Sequence, residues 1–440
     1  MDIDYHLKRA SLLSEQTNDF RPSLRKISEE KSPPDKFHLA ALFSFFNGMA
    51  GMIPLTFFLT ANDYWMHKLR DTRYENYDLN NKTTLQQMFT SVSTTGTSVP
   101  SVVTVILSML YGAQFDLRKR FVFTLGIVSS MFIVFTILVE VDTDSWQTTF
   151  FILTIGVLCM ISAVQPLFGI TSMSFLSRLP VSFMHINLYG TTIGGLFGST
   201  LQIISLSVGK NSTEIAMIYF TCGTVVMCFT LILAYLIKYS PVVTFYMKTT
   251  QDVRPKRHSL KEYKKVMIDI WPIIVILILP MLTMGLGHPN ITNLVTSEHY
   301  DKNGENLWYD KYFVAVATFF MFDVTQLIGR FFGRAHINEN NYWWYIGVTV
   351  IKTVFLTPLY LFCNALPRHH LSVWFPHDYQ YNLIHFSNCL LLGILLTNNF
   401  LSVPNFAKEN TELAYKMITT LLIIIASVSS LLNPLIVRLL

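Results

Sequence analysis

The chain has 440 residues, of which 51% are apolar and only 14% charged, with a formal net charge of +5 and a mean hydropathy of +0.40. Soluble domains carry roughly a quarter charged residues, so these charges are too few to cover a soluble surface of that size. The balance excludes a cytosolic enzyme, a secreted disulfide scaffold and a disordered protein, and points to an all-α polytopic membrane protein.

Residues 1–37 carry seven Lys and Arg, several serines and the Pro33-Pro34 pair, and they lack an apolar core. They read as a disordered cytoplasmic tail, which leaves the first span to act as its own insertion signal. A span needs about 20 apolar residues. That rule yields eleven: 38–62, 85–111, 121–141, 147–170, 181–207, 214–238, 266–287, 311–333, 343–363, 381–403 and 416–438. The first contains Gly48, Gly51 and Pro54 and is expected to bend at the proline. The second is rich in hydroxyls (Thr90, Ser91, Ser93, Thr94, Thr95, Thr97, Ser98), which either line a wet cavity or bond back to their own helix. The fifth carries Gly190, Gly194, Gly195 and Gly198, two overlapping GxxxG spacings that favour close helix packing.

A basic connection, residues 239–265, separates six spans from five and reads as a cytoplasmic linker. The expected domains are therefore the tail 1–37, a six-helix bundle 38–238, the linker 239–265 and a five-helix bundle 266–440. Two such bundles rocking about a midplane site form a transporter architecture. Intramembrane charge is the sharpest marker of such a site, since each charge costs about 2.5–3.5 kcal/mol at a helix centre on insertion scales. Span eight holds Asp323, Gln326 and Arg330 at i, i+3 and i+7 on one helical face. At 1.5 Å per residue the two charges lie about 10 Å apart along the axis, too far for a simple bridge. The cluster is either a structural network or a site for a polar solute. Lys352 in span nine is a further candidate, with a structural or snorkelling role as its alternative.

Lys and Arg set the orientation. With the amino terminus cytoplasmic, 22 fall inside and 9 outside, leaving Arg330 and Lys352 within spans. That places the carboxyl terminus outside and explains the positive charge without nucleic acid. Three glycosylation sequons, at Asn81, Asn211 and Asn290, fall on the outer side. The five cysteines lie in apolar runs with no metal-ligand spacing. No phosphate-binding loop, dinucleotide fingerprint or catalytic constellation is present, so no cofactor, metal, enzyme activity or obligate protein partner is expected.

The run Gly51-Met52-Ile53-Pro54-Leu55-Thr56-Phe57-Phe58-Leu59-Thr60-Ala61, with Tyr64 beyond it, resembles the G-x-L-P-W-N-x-F-x-T-A-x-x-Y opening of the equilibrative nucleoside transporter family. Leu179-Pro180, before the glycine-rich fifth span, is similar to that family's turn between spans four and five. Phe322-Asp323 through Gly329-Arg330 resembles its F-N-x-x-D-x-x-G-R signature. Pro358, Cys363-Asn364, Pro367-Arg368, Phe375, Asp378 and Phe386-Ser387-Asn388 follow its ninth and tenth spans. The resemblance runs in order over most of residues 40–438. It implies a major-facilitator-like fold of six plus five helices that moves nucleosides, and in some members nucleobases, by alternating access at a membrane, the plasma membrane being the expectation.

The resemblance also implies site residues and departures. The Trp of the opening motif is Leu55 here, the following Asn is Thr56, and the nearby Met-like position is Leu59. The span-four Gln position is Gly169, with Gln165 one turn earlier. Arg330 keeps the family Arg, while Gln326 occupies the Asp position and Asp323 the Asn position. The span-ten S-N-G reads Ser387-Asn388-Cys389. A charged acceptor hydrogen-bonds about twice as strongly as a neutral one, so moving the carboxylate by one turn alters how a ribose would be held. Facilitated diffusion of nucleosides is the leading expectation. Proton-coupled uptake through Asp323, and a non-transporting receptor or structural protein with the same fold, stand as alternatives.

Overall fold

The computed structural model describes residues 33–71, 83–111, 116–208, 212–251, 258–300, 308–366, 368, 370–408 and 410–437. Most of the amino-terminal tail, Asn81 and Asn211 lie outside the described residues. The chain is almost wholly helical: α1 (Leu39–Thr60), α2 (Asn62–Lys68), α3 (Thr84–Tyr111), α4 (Leu117–Glu140), α5 (Gln147–Leu176), α6 (Val181–Val208), α7 (Ser212–Leu236), α8 (Pro241–Gln251), α9 (Leu260–Asp269), α10 (Trp271–Gly287), α11 (Met321–Phe332), α12 (Tyr342–Ile351), α13 (Asp378–Phe406) and α14 (Thr411–Val437). Widened π turns at Trp308–Tyr312 and Val314–Phe320 precede α11, and others at Lys352–Leu356 extend α12.

Helix starts follow the capping chemistry written in the sequence. The Asp35 carboxylate accepts from Ala40 N and Ala41 N at the start of α1. Asp116 accepts from Arg118 N and Lys119 N at the start of α4. Ser259 and Glu262 form a capping box on α9. Each satisfies backbone donors that the first turn would otherwise leave unpaired.

Ten stretches among the described residues are long and apolar enough to cross a membrane. They match ten of the eleven expected spans. The remaining one, α6, has the length, at 28 residues, and no charge, but Asn187, Gln202, its hydroxyls and its glycines dilute its apolarity. Its position explains the composition. It packs against α1, α11 and α13, and only Ser182, Ile204 and Ser207 along it are exposed among the described side chains, so it meets protein more than lipid. The α1–α6 crossing is backbone against backbone: a Cβ on Gly48 would collide with Asn187 O, and one on Gly190 with Phe45 O. This is the close approach the glycine spacing predicts.

Around this crossing, α4 packs on α5 and α7, and α3 packs on α5. Phe58, Trp65, Phe89, Phe135, Phe150 and Phe220 form an aromatic cluster in that core, with ring centroids 5.1–6.3 Å apart. Farther along, α10 packs on α12, α13 and α14, and α11 packs on α13. Two seams join the early helices to the late ones: α14 against α3 and α5, and α11 with α13 against α6. Residues 239–265 hold α8 and the first part of α9, where the sequence suggests a plain connection.

Candidate functional site

The α11–α6 seam holds the charges that composition singles out. Gly329 lets α11 close onto α13, since a Cβ there would stand 2.6 Å from Leu390 O, and one on Gly393 would stand 2.7 Å from Gln326 O. With one face pressed on α13, the Asp323-Gln326-Arg330 face turns to α6. All three side chains are buried. On α6, Gly195 admits the carboxylate: a Cβ there would lie 2.5 Å from Asp323 Oδ1. One turn on, Ser199 Oγ donates to Asp323 Oδ2 at 2.8 Å.

Arg330 reaches the same helix by a different route. Its Nη1 donates to Leu188 O, its Nη2 lies 3.5 Å from Gln326 Oε1, and its Nε has no partner. Asp323 and Arg330 form no ion pair, as their spacing along α11 requires. Each charge instead faces α6, one through a hydroxyl and one through a main-chain carbonyl. His185 joins the seam, with Nε2 3.3 Å from Arg330 O and its ring stacked on Tyr189 at 4.7 Å.

Of the other expected site residues, Gln165 and Gly169 have neighbours of their own. Gln165 of α5 donates through Nε2 to Ala50 O and Gly51 O of α1, at 3.1 and 2.9 Å. The reason is Pro54, which lacks the N–H that would pair with Ala50 O inside the helix. Neighbouring helices commonly supply such missing donors in membranes. Gln165 Oε1 is buried without a partner. Gly169 faces α14, where a Cβ would lie 3.9 Å from Thr419 Cγ2. Leu55 and Leu59 belong to α1, but their side chains lie outside the described residues. Asn290 follows α10, and its Nδ2, the atom that would carry a glycan, donates to Gly285 O at 3.2 Å.

Lys352 is fully buried rather than snorkelling. Its Nζ lies 3.3 Å from Thr357 Oγ1, which is 2.9 Å from Asn388 Oδ1. A second polar knot surrounds His385, whose ring nitrogens lie 2.9 Å from Tyr360 OH and 2.9 Å from Thr318 O. In the hydroxyl-rich α3, Thr97 donates to Thr94 O, and Ser101 Oγ lies within hydrogen-bond distance of both Thr97 O and Ser162 O. Thr97 thus follows the back-bonding alternative. Ser93 Oγ is buried without a partner, and the side chains of Thr90 and Ser91 lie outside the described residues.

At one end of the other seam, Arg178, just beyond α5, pairs with Glu412 of α14 at 3.1 Å, and Lys416 pairs with the same carboxylate at 2.6 Å. Among the described residues no group of three or more His, Cys, Asp or Glu could hold a metal ion. An open groove of about 740 Å³ beside His67, Glu140 and Glu214 shares no residue with the α6–α11 cluster.

Sequence reasoning missed Ser199, His185 and the Leu188 carbonyl. For Ser199 a signal existed: it stands four residues after Gly195, on the helical face that the glycine pattern had already marked as an interface. A carbonyl has no signature in sequence.

Comparisons with known proteins identify the family and the fold. A family profile described as "Nucleoside transporter" matches residues 154–432. The chain is 24% identical over 402 residues to equilibrative nucleoside transporter 3 of Rattus norvegicus, covering 84% of this chain and 81% of that protein. It is 22% identical over 407 residues to equilibrative nucleoside transporter 1 of Homo sapiens, covering 80% and 86%. Two solved sugar symporters share the fold at 11% identity. A major facilitator superfamily proton:xylose symporter has a TM-score of 0.54 over 92% of this chain and 88% of its own. A D-xylose-proton symporter has a TM-score of 0.52 over 90% of each. The chain is a multi-pass integral membrane transporter of major-facilitator-like fold, and it belongs to the nucleoside transporter family.

Proposed function

We propose that this chain moves nucleosides down their gradient by alternating access, with Asp323, Gln326 and Arg330 forming the polar part of the solute site. The observation that carries the reading is the way Asp323 and Arg330 are held. Both charges are buried on a face whose partners on α6 are a single hydroxyl and a main-chain carbonyl. Ribose hydroxyls can replace both partners: they donate to the carboxylate and accept from the guanidinium. A charge-assisted bond of this kind is roughly twice as strong as a neutral one. Gln165 Oε1, buried without a partner, is an acceptor for a base N–H when α1 and α5 shift together.

The helices of residues 38–238 and those of 266–440 act as the two moving bundles, meeting at the α6–α11 and α3/α5–α14 seams. The Lys and Arg bias supports a cytoplasmic amino terminus and an outward carboxyl terminus, and plasma membrane residence with glycosylation at the outer sequons belongs to the same reading. Uptake of labelled uridine and adenosine into proteoliposomes tests it. Saturable, gradient-limited flux is the expected result. No flux of any nucleoside or nucleobase removes the substrate assignment.

A second reading, proton-coupled transport, is favoured by Asp323 being a buried carboxylate hydrogen-bonded by one hydroxyl. An imposed pH gradient separates the two. Accumulation above equilibrium that Asp323→Asn abolishes supports coupling, and indifference to the gradient removes it.

A further inference from the structure

The segment before α10 has two apolar faces, and only one of them is used inside the protein. On α9, Val266 is buried and Tyr263 packs against the main hydrophobic core, together with Ile270 just beyond the helix. Leu260, Met267 and Ile268 point the other way, with Leu260 87% and Ile268 60% exposed. At 100° per residue, Leu260, Lys264, Met267 and Ile268 share one outward stripe. Lys261 flanks it and, like Lys264, is exposed.

The start of the adjoining span fixes the depth at which α9 ends. The helix is interrupted at Ile270, and Trp271 opens the apolar stretch Trp271–Leu294. Trp271 meets Tyr342 and Trp343 edge-on at 5.6 and 5.8 Å, and Trp343 and Trp344 are exposed. Exposed Trp and Tyr at span ends mark the headgroup level of a bilayer. The carboxyl end of α9, with Met267 and Ile268, therefore meets the boundary between hydrocarbon and headgroups. There apolar side chains reach acyl chains, and lysine stems can lie along apolar surface with their ammonium groups in the polar layer.

We propose that α9 is an in-plane surface helix that binds anionic phospholipid headgroups of the adjacent leaflet, with Lys261 and Lys264 as the headgroup ligands and Leu260, Met267 and Ile268 inserted beside them. Charge complementarity selects the occupant. A purely apolar stripe would suit any lipid, whereas lysines set within and beside it favour a negative headgroup. Continuity of α9 with a spanning helix makes the bilayer the surface it meets first. This assignment is independent of which solute the chain carries.

The test uses the purified full-length protein in detergent, titrated with short-chain phosphatidylserine. Short-chain phosphatidylcholine, inorganic phosphate and an acidic glutamate peptide are titrated in parallel, and binding is read from the thermal midpoint. Phosphatidylserine is expected to bind more tightly than phosphatidylcholine. Its apparent affinity should fall about fivefold in each of Lys261→Gln and Lys264→Gln, the factor that corresponds to about 1 kcal/mol for a basic residue near an anionic surface. Lys261→Arg/Lys264→Arg should retain the preference, which separates lost charge from lost folding. Equal binding of the two lipids overturns the proposal, as does a preference that both Gln variants keep. So does a lysine dependence seen with the acidic peptide or free phosphate but not with phosphatidylserine.

Discussion

Replacing Ser199 by Ala removes one hydroxyl from the α6–α11 seam and leaves everything else in place. Its Oγ donates to Asp323 Oδ2 at 2.8 Å, and both residues are buried, with exposures of 3% and 8%. Gly195 holds the carboxylate against the helix backbone, 2.5 Å from where a Cβ would sit, so no other α6 side chain can move in to replace the donor. Hydrogen bonds to charged groups contribute about 1.5–3 kcal/mol, a factor of roughly 10 to 150 in a conformational equilibrium. The loss falls only on conformations in which α6 and α11 are joined at this point. Ser199→Ala should therefore lower the thermal midpoint of the purified protein and change both the maximal rate and the half-saturation of uridine uptake. Asp323→Asn removes the charge from the same contact, so the double variant should show a coupling energy of about 0.5–3 kcal/mol. Stability of Ser199→Ala within about 0.5 kcal/mol of wild type, with strictly additive effects in the cycle, would refute the view that this contact holds the seam together.

Gln165→Leu strips the donor from Ala50 O and Gly51 O and should destabilise the protein by about 1–3 kcal/mol, read as a lower unfolding midpoint in detergent. Gly190→Leu drives a side chain into Phe45 O at the α1–α6 crossing and should abolish recovery of folded protein, while Gly347→Ala, with nothing within 4 Å of its added methyl, should be recovered normally. Glu412→Gln removes the charge shared by Arg178 and Lys416 and should loosen the α5–α14 seam, seen as faster amide exchange at the start of α14. Glu298, between α10 and α11, lies 2.6 Å from the ring of His377 at the start of α13, and that hydrogen bond is the chief cause that holds its carboxyl below its ordinary value. A carboxylate with a depressed value contributes its stabilisation above the unfolded value and loses it as pH falls through the folded one. Exchange protection of residues 297–300 should therefore weaken on acidification below the usual glutamate range, and Glu298→Gln should remove that pH dependence.

The amino-acid sequence by itself determined the class, ten of the helical spans and the charged face of α11. These come from rules that act locally. Hydrocarbon accepts only long apolar helices, and a period of 3.6 residues places positions 323, 326 and 330 together. It also determined that Asp323 and Arg330 do not pair, because rise per residue is a property of one helix. Tertiary structure alone decided what those charges meet. Ser199 and Leu188 O are 124 and 142 residues away in the chain, and a main-chain carbonyl is the same in every residue type. It likewise decided that Gln165 restores the hydrogen bond denied by Pro54, a partnership between helices that neither segment announces alone. The amphiphilic stripe of α9 falls between these cases. Its lysines were legible as a basic connection, but only the burial of Val266 beside exposed Leu260 and Ile268 separates the face that meets protein from the face that does not. Such a division depends on what packs against a helix, and one helix's sequence does not contain its neighbours.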